Sequence, residues 1–225
     1  MLIIKRSTHK SATLNQQFYE ELLYIMGLEE KNSIIRPNRV QGAIVTQLMD
    51  DHDVPEDEAF SLTTTWINRL LFIKLLEGLL RGYLEDKQLD LLQCASFAEL
   101  KELFFSVLAK PIEERSAANR KRFQHHPYLN SSLFDKTEEE HCHLISILHN
   151  DNLQIYRGST LISGQRNGAK PLLSYLLEFL ASYRFSNDQK DSERLISAPV
   201  LGLIFEKLNG HRDGAVYTPS AITRR

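Results

Sequence analysis

A mainly α-helical fold, a multi-helical bundle around a long central helix, is what this sequence predicts, and three observations carry the expectation. The first is the stretch Glu56 to Leu84. Leu62, Trp66, Leu70, Ile73, Leu76 and Leu80 recur there at three- and four-residue spacing, and Ile67, Leu71, Leu75 and Leu79 form a second stripe beside them. An apolar face this broad belongs to a helix surrounded on several sides. The second is that several other segments repeat the same period. The third is a hydrophobic content of 42%, enough for a real core in 225 residues.

The central stretch has a plausible start: Pro55 tolerates a first turn, and Glu56, Asp57 and Glu58 complement the helix dipole. Its polarity is confined to a seam of Lys74, Glu77 and Arg81, with Glu77 and Arg81 at pairing distance along a helix. Asn68 and Arg69 sit among apolar neighbours, which favours a buried hydrogen-bond network that sets helix register over a ligand contact.

The remaining elements follow in order. Residues 13–27 present Leu14, Phe18, Leu22, Ile25 and Met26 on one face and stop at Gly27. A polar stretch with Pro37 leads to a shorter helix marked by Val40, Ile44, Val45 and Leu48. Residues 96–109 open with Ser96 and Glu99 at capping-box spacing and end before Pro111. Residues 127–134 read as an irregular loop packed on the core, and 144–165 leaves room for a small β-hairpin. A helix over 171–185 follows a Gly-rich loop at 163–169; 186–194 is a solvated loop; and 199–210 forms a last helix ending at Gly210.

Charge and cysteine usage limit the function classes. Lys and Arg number 27 against 29 acids, so the net charge of −2 argues against a generic nucleic-acid coat. Two cysteines and no secretory pattern fit a reducing cytoplasm, and the apolar run at 70–80 is too short and too interrupted to span a membrane. Arg115, Arg120, Lys121 and Arg122 are the best local candidates for contact with a DNA backbone, although charge runs are more often solvated faces. His141, Cys142, His143 and His149 lack the paired spacing of a zinc site, and Cys142 has no fixed base. The loop at 164–170 has three residues between its glycines and Pro171 where a phosphate loop needs Ser or Thr. No catalytic residue and no metal site is assigned.

At the C-terminal end, Thr218-Pro219 has the grammar of a capped helix start, yet only six residues follow. That favours a cut inside a longer protein over a frayed terminus. The segment LGLIFEKLNG followed by DGAVYTP resembles the junction entering the methyltransferase domain of single-chain type IIG restriction–modification enzymes. LNQQFYEELLYIMGLEE at 14–30, LTTTWINRLLFIKLLE at 62–77 and PYLNSSLF at 127–134 are similar to the same family, in the same order.

The resemblance implies a helical connector domain at 1–210 and a truncated methyltransferase entry at 211–225. It implies an upstream nuclease and a downstream adenine-specific DNA methyltransferase in the same polypeptide, acting on DNA in a bacterial cytoplasm. Tyr217, Thr218 and Pro219 would then border the parent's S-adenosylmethionine pocket, and the parent's nuclease would use Mg. The fragment itself would hold no cofactor and perform no catalysis, because no Gly-rich cofactor loop or Asn-Pro-Pro-Tyr element occurs in it. Glu85-Asp86-Lys87 imitates half a nuclease motif without the Pro-Asp that should precede it. The alternative from a different class is a free-standing all-α protein-interaction or regulatory module.

Overall fold

The computed structural model describes residues 14–85, 89–162, 168–186 and 194–210. Helix α1 (Gln16–Met26) is capped at its start by the Asn15 side chain, which accepts from the Phe18 N–H, and at its end by Gly27 in the left-handed conformation. The chain turns straight into an antiparallel pair, β1 (Leu28–Lys31) and β2 (Ile34–Pro37). Its two-residue turn holds Asn32 and Ser33 at φ 53° and 62°, the positive values that a hairpin of this twist requires. This pair replaces the polar stretch expected there and corrects the all-α description.

Helix α2 (Ile44–Asp50) precedes α3 (Glu56–Tyr83), which has 28 residues. The side chains of α3 are buried at Leu62, Trp66, Leu70 and Ile73 and on the neighbouring stripe at Ile67 and Leu71. In the polar seam Lys74 and Glu77 are interior and Arg81 is half-buried: Glu77 pairs with both cations and accepts from the Leu91 N–H at 2.9 Å. The last turns of α3 differ, with Leu79, Tyr83 and Leu84 exposed.

Helix α4 (Phe97–Glu102) starts at the Ser96 cap, while Glu99 reaches back to the Ala95 N–H at 2.8 Å. It continues as a π-helical turn over Leu103–Leu108 that brings both Phe104 and Phe105 to Arg69. Helix α5 (Ala117–Arg122) follows. The expected hairpin is met in a shifted form: β3 (Asn152–Gln154) pairs antiparallel with β4 (Ala169–Pro171), so its second strand falls beyond residue 165. Helix α6 (Leu172–Ala181) buries Leu172, Leu176, Phe179 and Leu180. A short parallel pair, β5 (Arg184–Phe185) and β6 (Leu195–Ile196), leads into α7 (Ala198–Gly210). The described residues are therefore mainly α, with two small antiparallel pairs and one parallel pair. Among them, no helix is long and apolar enough to cross a membrane.

Candidate functional site: an aromatic and acidic cleft

The charged groups with the strongest burial serve the fold. Arg69 and Glu140 are both fully buried and form a two-point ion pair. Trp66 Nε1 donates to Glu140 Oε1 at 2.9 Å, and Arg69 also donates to the Leu133 and Asp135 carbonyls at 2.7 and 2.8 Å. A buried pair persists only when its remaining hydrogen-bonding capacity is met, and here it is met by backbone. A buried hydrogen-bond network is thus present around Arg69, as expected. Asn68 is half-buried and makes only a long contact with Asn209 at 3.5 Å.

The basic candidates separate in space. Arg115 is 3% exposed and donates to the Lys110, His126 and Pro127 carbonyls, so its guanidinium staples the 110–127 segment. Arg120 and Lys121 are exposed on α5. Arg122 pairs with Glu99 and lies over the Phe123 ring. Tyr217, Thr218 and Pro219 lie outside the described residues, as do Asp86, Lys87 and most of the Gly-rich loop. Lys170 pairs with Glu178. Cys142 is exposed; Cys94 is buried, with its thiol pushed up to about 12 chiefly by burial. His143 approaches Glu58 at 3.7 Å.

One open cleft, of about 510 Å³, lies between α1, the β1–β2 pair, the loop after β3 and α7. Positions 16, 19, 20, 23 and 24 share one face of α1, as helical spacing dictates, and that face forms one wall. The opposite wall is Tyr156. Its N–H donates to the Tyr175 hydroxyl at 2.9 Å, and Gln17 on α1 donates to the nearby Gly158 carbonyl at 2.6 Å, so the loop is tied down on both sides. The Tyr156 ring lies 5.4 Å from that of Tyr24, and its hydroxyl donates to Glu20 at 3.1 Å. Glu20 also accepts from Gln16 at 2.8 Å.

The inner end holds Tyr19, 1% exposed, with Glu30 beside its buried hydroxyl. The Lys207 ammonium from α7 sits 5.0 Å from the Tyr19 ring centre and contacts the two Glu30 oxygens at 2.7 and 2.9 Å. All three phenols are held above their ordinary values, first by burial and then, for Tyr19 and Tyr156, by Glu30 and Glu20. They stay neutral, so they offer hydroxyl donors and electron-rich ring faces. With the carboxylates Glu20, Glu29 and Glu30, this lining suits a cation. It contains no pairing of nucleophile and base and offers no reacting centre. The one sequence-level sign of it is the run Tyr19, Glu20 and Tyr24 on a single face of α1; Glu30, Tyr156 and Lys207 come from distant parts of the chain.

The described residues form a mainly helical fold with an open cleft. The family described as "Domain of unknown function (DUF7814)" matches residues 37–196, more than half of the chain, and the chain belongs to that family. No curated protein and no solved structure matches it. The matched span contains Arg69, Glu140 and Arg115; of the cleft residues named above, it contains Tyr156.

This membership corrects the description by restriction–modification, type II restriction enzyme, DNA methyltransferase, S-adenosylmethionine and DNA binding. Among the described residues, no group of three or more His, Cys, Asp or Glu side chains could hold a metal ion. The physical reason lies in the segments that carried the resemblance. In 14–30 and 62–77 the most regular residues are core faces, such as Phe18 and Leu22 on α1 and Leu62, Trp66 and Leu70 on α3. Apolar spacing of this kind is demanded of any packed helix.

Proposed function

We propose that the protein is a non-catalytic protein-interaction module that receives a segment of a partner in the cleft between α1, β1–β2 and α7. One observation supports the reading: the buried Arg69, Glu140 and Arg115 are consumed by internal partners, whereas the cleft is open and presents the half-buried Tyr24 and Tyr156 together with the exposed or half-buried Glu20, Glu29 and Glu30. Interface sites are rich in such aromatic side chains, which combine large contact area with a polar tip. In this reading α3 is the long central post of the bundle. It keeps α2 and α7 in place, and α7 in turn delivers Lys207.

Panning a random peptide library tests the proposal. The wild-type protein is expected to enrich peptides that fail to bind a folded Glu20→Gln, Tyr24→Ala variant. An enriched set that ignores the variant, or no enrichment at all, would contradict the interaction reading at this cleft.

A further inference from the structure

We infer that the cleft's ligand is a lysine side chain of a basic segment in a protein partner, and that Lys207 is an internal placeholder which such a lysine displaces. The inference rests on the interaction reading above and names its ligand. The chain already places an ammonium in the cleft, over the Tyr19 ring and between the Glu30 oxygens. That arrangement shows which chemistry the inner end accepts. The lining holds three carboxylates against this one ammonium, and Lys31, outside the lining, pairs with Glu29 at 2.6 Å.

Lys207 is a displaceable occupant. Its side chain is 40% exposed and that of Glu30 is 21% exposed, and an ion pair this open to water contributes little. The volume of about 510 Å³ exceeds what one ammonium fills. An incoming lysine that reaches Glu30 would run its stem along the rings of Tyr24 and Tyr156. Glu20, already fixed by Gln16 and Tyr156, would face the backbone of that segment or a second cation.

The test is a calorimetric titration of the full chain with an acetylated, amidated tetralysine peptide, repeated with its Nε-acetylated counterpart. Lys207→Met removes the placeholder and keeps the stem. It should tighten tetralysine binding by about two- to fivefold, the range that an exposed ion pair commands. Glu30→Gln should weaken binding at least tenfold, while circular dichroism shows both variants folded. Acetylation should abolish binding, because it removes the charge and leaves the stem.

Weaker binding to Lys207→Met, or equal binding to Glu30→Gln, would overturn the inference. So would equal binding of the acetylated peptide. If library panning enriches cleft-dependent peptides that lack lysine, the ligand class falls and the interaction module stands. If panning finds no cleft-dependent peptide, the module reading falls.

Discussion

The Arg69–Glu140 pair is fully closed to solvent and shares Trp66, so removing one partner strands a buried charge. Arg69→Met and Glu140→Gln are each expected to cost about 3–5 kcal/mol. The double variant should cost less than the sum, because it leaves no lone ion. Urea unfolding of the four proteins measures this; additive losses would mean that the two side chains act independently. Glu21 gives a second residue-scale prediction. It is fully buried, and Tyr175 donates to its Oε1 at 2.8 Å. Burial raises its pKa above the ordinary 4.5, against the pull of the Ser159 and Tyr175 hydroxyls. A carboxyl raised in the folded state contributes stability that is fully present below the unfolded value and lost as pH rises through the folded one. The Glu21→Gln variant should therefore gain on the wild type as pH is raised from 4 to 8. A stability difference that is flat with pH would show that Glu21 is not raised. Tyr175→Phe, which strands both Glu21 and the Tyr156 N–H, should cost about 1–3 kcal/mol.

Two glycines of α3 separate packing from propensity at the element scale. A Cβ at Gly78 would lie 1.8 Å from the Phe185 carbonyl oxygen, so β5 could not keep its place against α3. A Cβ at Gly82 meets nothing within 4 Å. Gly82→Ala should stabilise by up to about 1 kcal/mol through helix propensity, whereas Gly78→Ala should destabilise by about 1–3 kcal/mol despite the same propensity gain. Thermal unfolding of the two variants checks the opposite signs. The glycine at 78 also shows where sequence reading stops. Apolar spacing reveals α1, α3, α4, α6 and α7, and the Gly27 and Ser96 caps are readable because each follows from local backbone chemistry. The β1–β2 pair is not readable in that way, since LEEK and IIRP alternate poorly and the turn is signalled by Asn32 alone. Nor is the π-helical turn at 103–108, whose Phe104 and Phe105 meet Arg69 from another element. The Arg69 network is half-visible: a buried arginine demands a partner, but Glu140 lies 71 residues away.

The cleft exists only at the scale of the whole molecule. Residues from 16 to 207 line it, so the Tyr19, Glu20 and Tyr24 face of α1 announces only one of its walls. Its two ends depend on different supports: Tyr156 is tied to α1 and α6, and Lys207 is carried by α7, which packs on α3. Because the Lys207–Glu30 pair is partly solvated, Lys207→Met should change folding stability by no more than about 1 kcal/mol. A larger loss would make Lys207 a structural clamp instead of a placeholder. The exposed end of α3 and the basic face of α5 are separate surfaces and give the natural contrast to the cleft. The most direct measurement is a titration of nitrogen-15-labelled protein with tetralysine peptide, followed by amide chemical shifts. The account expects saturable shifts clustered at Tyr19, Glu20, Tyr24, Glu30, Tyr156 and Lys207. Shifts confined to the α3 end or to Arg120–Arg122, or none at the cleft, would contradict it.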